Sequence, residues 1–344
     1  MKSLRSYFLA LLAGSIGGAG FSVFFYGLDT RAIVNGALLG ICISLTITFI
    51  EKKFLAERIR RMRFSLALLV RTTAQIFVII FYVAVGAILY FSSRYGVSIG
   101  ASPGLPIVHH FLFGGELLTI TLYAIMLSFL INMIRQMSRI LGQNVLLNLI
   151  AGKYSKPVEE ERVFMFLDLD ASTTHAERLG NIKYHELLDE YVYDITKPIL
   201  DWNGEIYQYV GDEVVVTWKT RRGKTTLDPI ECFFAISKVM EKLGPKYQGK
   251  YGFVPGFKAG LHYGTIVTGE IGDVKKEIVF QGDVVNTASR IKETCSSLGA
   301  KILVSRELLE ALPHKETNYR LLRAGSFLLK GKEHEVELFT ITTT

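Results

Sequence analysis

Asp168 and Asp212 are the two acidic side chains best placed to do chemistry. Asp168 closes an apolar run in Phe166-Leu167-Asp168-Leu169-Asp170, and Asp212 follows a glycine in Tyr209-Val210-Gly211-Asp212-Glu213. A short apolar run bounded by charges reads as a buried strand, and Gly-Asp between two such runs reads as a hairpin tip. Both carboxylates therefore stand where a strand end meets solvent, and neighbouring strands would bring them to one end of a sheet. Such a pair suits Mg²⁺, which takes a few carboxylates plus substrate phosphates. Ordinary turn chemistry is the other reading of Gly-Asp. A second group lies in Gln281-Gly282-Asp283-Val284-Val285-Asn286-Thr287-Ala288-Ser289-Arg290. Asn286 and Arg290, four apart, share one face of a helix. An amide beside a guanidinium suits a sugar and a charged phosphoryl group; a solvated helix face is the alternative. Leu329-Lys330-Gly331-Lys332 adds a cation on a late loop, or simply a solvated turn.

These residues need strands and helices to hold them. The pattern predicts strands at Val163–Asp168, Glu205–Val210, Glu213–Trp218, Phe257–His262, Thr265–Ile271, Glu277–Gln281 and Lys301–Val304. Helices are predicted at Ser172–Leu179, Ile182–Trp202, Asp228–Leu243, Asp283 to about Ser296, and Arg306–Leu312. Gly244-Pro245 is the expected stop of the third, and Asp283 the expected cap of the fourth. Strands and helices in this order form an α+β domain with helices packed on a mixed sheet.

Upstream the character changes. The chain has 344 residues, 49% apolar and 21% charged, which excludes a disordered polymer. Its net charge of +7 is not spread evenly: residues 1–160 hold 15 Lys and Arg against 6 Asp and Glu. A basic excess confined to the apolar half reads as membrane topology and not as a nucleic-acid face. Four stretches, Tyr7–Tyr26, Ala32–Ile50, Thr72–Phe91 and Leu117–Ile134, contain no Asp, Glu, Lys or Arg. Each approaches the roughly 20 apolar residues that cross a bilayer, so residues 1–134 are expected to be a four-helix membrane domain. The second connection carries Lys52, Lys53, Arg58, Arg60, Arg61, Arg63 and Arg71, and Arg135 and Arg139 follow the fourth stretch. That bias places both termini and the basic loop in the cytoplasm, at the cell membrane. His109, His110 and Glu116 precede the last span as a site or as interfacial polar residues. Cys42, Cys232 and Cys295 share no metal-ligand spacing, which fits a reduced, cytosol-facing protein.

Between the halves, residues 135–160 repeat Ile140, Leu141, Val145, Leu146, Leu149 and Ile150 at helical spacing. This is read as an amphipathic connector, either a spacer or a coupling helix. Pro157 and Glu159–Glu161 mark its end, and residues 161–344 form the soluble domain.

The four motifs in this order resemble the catalytic domain of class III nucleotidyl cyclases, the adenylate and guanylate cyclases, of the membrane-anchored bacterial type. The resemblance covers about residues 160–342 and implies a ferredoxin-like, palm-type fold. It implies that Asp168, Asp212 and the Leu169 carbonyl hold two Mg²⁺ (or Mn²⁺) ions. Asn286 would orient the ribose, Arg290 would stabilise the transition state, and Lys330 would hold the triphosphate. It further implies a homodimer with the active sites at the subunit interface, cyclising a nucleoside triphosphate with release of pyrophosphate. The chain departs from the family at the two positions that read the base. Gln208 stands where adenylate cyclases carry Lys, and Val279 where an Asp or Thr is usual; guanylate cyclases place Glu and Cys there. Adenylate cyclase is the expectation on prevalence, with guanylate cyclase or a silent nucleotide-binding receptor as alternatives. Gly211-Asp212-Glu213 also resembles part of the diguanylate cyclase hairpin, a family with no use for Asn286, Arg290 and Lys330.

Overall fold

The computed structural model describes all residues except 1, 56–58, 60, 61, 102–105, 143, 144, 221–224, 314–318 and 344. The chain divides into two compact units, Met1–Ile140 and Leu141–Thr344.

The first unit is helical: α1 (Lys2–Tyr26), α2 (Thr30–Ile50), α3 (Phe64–Tyr95), α4 (Pro106–Phe113) and α5 (Glu116–Leu141). Asp29 caps α2 by accepting from the Arg31 N–H at 3.1 Å. α1 and α2 meet through glycines. A Cβ on Gly18 would sit 1.9 Å from the Gly36 carbonyl oxygen, and one on Gly40 would sit 2.1 Å from that of Gly14. Small residues four apart let the two backbones touch, which is how helices associate where apolar burial gives no drive. Among the described residues, three helical stretches are long and apolar enough to cross a membrane: Thr30–Leu55, Phe64–Ser92 and Leu117–Ser138. Multiple helices of this kind make the protein membrane-embedded. In α1 the apolar stretch among the described residues is Ala10–Phe24, which is shorter than these three.

Arg71, expected in the basic loop, is instead buried inside α3, where it donates to Gln136 Oε1 at 3.3 Å. Beside it runs a polar chain. Asn132 donates to Gln75 Oε1 at 2.9 Å and to Thr72 Oγ1 at 3.2 Å. Gln75 donates to Glu51 Oε1 at 3.2 Å, and Arg135 holds the same carboxylate at 3.1 Å. Glu51 opens a π-helical turn, Glu51–Leu55, that continues α2. Polar side chains set among apolar helices persist where they find such partners. His109 packs on Phe113, ring centroids 4.8 Å apart, and the Glu116 side chain lies outside the described residues.

The second unit opens with a six-residue helix, α6 (Val145–Ile150), preceded by Gly142 in a left-handed conformation (φ 100°). Eight strands then form one sheet: β1 (Val158–Leu169), β2 (Glu205–Val210), β3 (Glu213–Lys219), β4 (Phe257–Ile271), β5 (Glu277–Gln281), β6 (Ile302–Ser305), β7 (Tyr319–Phe327) and β8 (Val336–Thr343). Their order is β2-β3-β1-β4-β6-β8-β7, with β5 on the end of β4, and among the described residues only β4–β6 is parallel. The helices are α7 (Ser172–Leu179), α8 (Asn181–Asp201), α9 (Asp228–Tyr251), α10 (Asp283–Leu298) and α11 (Arg306–Ala311).

β1 divides the core. Val163, Met165 and Leu167 point to the face covered by α8 and α9, and Phe164 and Phe166 point to the face covered by α10. β1 starts five residues before the expected Val163. Glu160 in that extension is buried between the Arg162 Nε at 3.0 Å, the Tyr154 hydroxyl at 3.0 Å, and Lys219. The acidic run thus lies within a strand, where paired charges hold Glu160.

α9 does not stop at Gly244-Pro245. Glycine and proline inside a helix cost roughly 1 and 3 kcal/mol. Beyond them Tyr247 and Tyr251 are buried, the Tyr247 hydroxyl donates to Asp194 at 2.8 Å, and Lys250 pairs with Glu190, both on α8. Burying two large rings, each about 1.5–3 kcal/mol, offsets the local cost. The two strands expected at Phe257–His262 and Thr265–Ile271 are one, because Gly264 makes no turn. It is a flat spot: a Cβ there would lie 2.6 Å from Val284 Cγ2 on α10.

Candidate active site

Asp168 sits at the end of β1, directly across from Lys258 of β4. On the other side the β1–β3 register, Leu167 against Val214, puts Glu213 opposite Asp168. Alternation places Asp168 on the Phe164–Phe166 face, beneath α10. Asp212 is in the β2–β3 turn, which Gly211 (φ 64°) makes possible. Burial pushes the Glu213 carboxyl above its ordinary value; the charges of Asp168 and Asp212 add to this and Lys292 opposes it. Three carboxylates therefore share one end of the sheet, and Glu213 feels the charge of the other two. Leu169 turns its side chain into the core, leaving its backbone at the strand end.

No group of three or more His, Cys, Asp or Glu forms a ready metal cage among the described residues. The donors present are carboxylate oxygens, and Asp168 draws cations: Lys258 Nζ lies 3.5 Å and Lys292 Nζ 3.3 Å from its Oδ2. Hard oxygen donors in small number fit a divalent cation that brings its own waters or phosphates, as Mg²⁺ does.

α10 supplies the second group. It lies hard against β4: a Cβ on Gly260 would come within 2.2 Å of the Lys292 backbone nitrogen. Asn286 is exposed and Arg290 half-buried. The Arg290 guanidinium rests on the Leu329–Lys332 turn, its Nη2 3.4 Å from where a Gly331 Cβ would stand. Lys332 of that turn pairs with Asp283, and Lys330 is exposed beside it. The structure thus brings Arg290 and the Lys330 turn together. Among the described residues, no hydrogen bond or ion pair joins Asn286 or Arg290 to Asp168 or Asp212.

Residues 154–343 match the family described as the adenylate and guanylate cyclase catalytic domain. The chain belongs to this family. Adenylate cyclase 2 of Rhizobium meliloti is 37% identical over 225 residues, which is 65% of this chain and 62% of that protein. Guanylate cyclase 2D of Rattus norvegicus is 40% identical over 75 residues, 22% of this chain and 7% of that one. The fold is shared with a bacterial light-regulated adenylyl cyclase: TM-score 0.56, 20% identity, 65% of each chain covered.

Within the cyclase domain, the two expected base-reading positions lie beside a contact between β2 and β5. The Phe280 N–H donates to the Tyr207 hydroxyl at 3.4 Å, and the two rings pack 4.6 Å apart. Gln208 and Val279 are the adjacent residues, exposed and half-buried respectively. Lys258, Glu213 and Lys292 were passed over in the sequence. Glu213 adjoins Asp212, but only strand register and helix placement aim the lysines at Asp168.

His262, on β4 of the cyclase domain, was also missed. It is buried, with Nδ1 2.7 Å from Ser305 Oγ, which also accepts the Leu308 N–H to cap α11. Burial pushes its pKa down to about 4, Lys332 adding to this while Glu307 and Asp283 act against it. An unfolded chain takes up this proton below about pH 6.5, and the folded chain refuses it until about pH 4, so stability is lost as the pH falls through that window. The full loss is about 3 kcal/mol. Thermal melting between pH 6.5 and 4.5 should show a steeper fall for the native chain than for His262→Asn; equal slopes would remove His262 as the cause.

Proposed function

We propose that this chain is a membrane-anchored adenylate cyclase that converts ATP to 3′,5′-cyclic AMP and pyrophosphate and acts as a homodimer in signal transduction. The observation that carries the reading is the gathering of Asp168, Asp212 and Glu213 at one sheet end in a domain whose α10 presents Arg290 beside Lys330. The name of the 37%-identical Rhizobium meliloti relative favours ATP.

The reaction is an intramolecular phosphoryl transfer: the ribose 3′-hydroxyl attacks the α-phosphorus and pyrophosphate leaves. Asp168, Asp212 and the Leu169 carbonyl would hold two divalent cations, which when bound would supply Lewis acidity toward the hydroxyl and the leaving phosphates. Asn286 orients the ribose by hydrogen bonding. Arg290 stabilises charge developing on the phosphoryl oxygens, an electrostatic role for a preorganised guanidinium. Lys330 holds the triphosphate from the turn on which Arg290 rests. In a head-to-tail homodimer the Asp pair of one chain faces the Asn286/Arg290 pair of its partner.

In the membrane, α1 serves as a fourth span. Lys52, Lys53, Arg63 and Arg135 hold their ends of the helices, both chain termini and the cyclase domain in the cytoplasm.

The test is purified protein given ATP and GTP in parallel, with products identified by mass spectrometry. Cyclic AMP should dominate by a modest margin. Val279 cannot hydrogen-bond through its side chain, so one polar contact reads the base where two are usual. A missing hydrogen bond is worth about 0.5–1.5 kcal/mol, roughly two- to tenfold in selectivity. Gln208→Lys with Val279→Thr should widen the ATP preference. Failure to form any cyclic nucleotide with Mg²⁺ or Mn²⁺ would overturn the enzymatic reading. Guanylate cyclase is the second reading, supported by the 75-residue likeness to guanylate cyclase 2D; a GTP preference in the same assay would establish it.

A further inference from the structure

Lys292 follows Arg290 by two residues on α10 but points elsewhere, down onto the carboxylates of its own chain. Its Nζ lies 2.8 Å from Glu213 Oε2 and 3.3 Å from Asp168 Oδ2. Its side chain is 13% exposed, as is that of Glu213. This placement is built into the backbone. Gly260 lets α10 lie so close to β4 that the Lys292 amide nitrogen would be 2.2 Å from any Cβ there. The ammonium then has little choice but the carboxylates at the strand ends. Lys258 adds a second ammonium 3.5 Å from the same Asp168 oxygen.

We infer that Lys292 is a built-in competitor for the metal site: its ammonium occupies Asp168 and sets how weakly the protein alone binds a divalent cation. The inference rests on the reading of Asp168 as a metal-holding residue. An ammonium and a divalent cation seek the same carboxylate lone pairs, so one must move for the other to bind. Lys292 is equipped to move. It is a flexible chain with three rotatable donors, and Glu213 at 2.8 Å keeps it paired after it leaves Asp168. Glu213 therefore spares the displaced charge a costly stay in a buried site without a partner. The result is a domain that takes its cations poorly when they come alone. Nucleotide phosphates supply the further negative charge that favours binding, so the metal is retained when it arrives with substrate.

The test measures Mn²⁺ binding to the purified full chain without nucleotide, by calorimetry and by the electron paramagnetic resonance signal of free Mn²⁺. Lys292→Met should bind Mn²⁺ at least tenfold more tightly than the native chain. Lys292→Gln should do the same while keeping a donor for Glu213, which guards against a folding defect in the first variant. Lys292→Arg, which keeps the charge, should stay near native affinity. Adding Asp168→Asn to Lys292→Met should abolish the gain. If neither neutral variant binds more tightly, yet Asp168→Asn weakens binding, Lys292 is only a structural partner and the inference fails. If the gain survives Asp168→Asn, the assignment of Asp168 to the metal is itself wrong.

Discussion

Asp168→Asn and Asp212→Asn should each lower cyclic-nucleotide formation by roughly a thousandfold while leaving the fold intact. Loss of a group that anchors Lewis-acid charge removes several kcal/mol of transition-state stabilisation, and about 4 kcal/mol is a thousandfold. The amide keeps the size and hydrogen-bonding capacity of the acid. At position 168 it leaves Lys292 paired with Glu213 at 2.8 Å, so the buried ammonium is not stranded. Circular dichroism and melting temperature should therefore change little. A variant that keeps a tenth of native activity, in either Mg²⁺ or Mn²⁺, would remove that aspartate from the site.

Mixing two inactive proteins should restore activity. Asp168→Asn damages the carboxylate group and Arg290→Ala the α10 group. If a site is built from the first group of one chain and the second of its partner, a mixed dimer contains one intact site and one doubly damaged site. Random exchange of equal amounts makes half the dimers mixed, so about a quarter of native activity should return. Labelled subunits would establish that exchange has occurred. Exchange without recovery would mean that Asp168 and Arg290 serve the same chain.

Much of the cyclase domain was legible because its element boundaries are set by local chemistry. The limits of α7, β2 and β5 coincide with those expected, and each is bounded by short-range signals such as Gly180 or Gly211-Asp212. Where the expectation missed, a distant partner outweighed a local rule. Pro245 stays inside α9 because Tyr247 and Tyr251 bury beyond it. Glu160 belongs to a strand because Arg162, Tyr154 and Lys219 reach it. Arg71 left the basic loop for a helix interior because Gln136, 65 residues away, receives it.

The sequence by itself determined the apolar upstream half, the alternating strands and helices after it, and the motifs that mark the cyclase family. These rest on hydropathy, turn residues and spacing, which act over a few residues. Only the tertiary structure decided that Lys258 and Lys292 converge on Asp168, that Arg290 rests on the Lys330 turn, and that Glu51, Gln75 and Asn132 form one polar chain. Lys292 and Asp168 are 124 residues apart. No local preference can aim one at the other. The aim comes from a β3–β1–β4 register that is specified only when one whole face of the sheet is buried, and from a glycine at 260 that lets a helix settle on it.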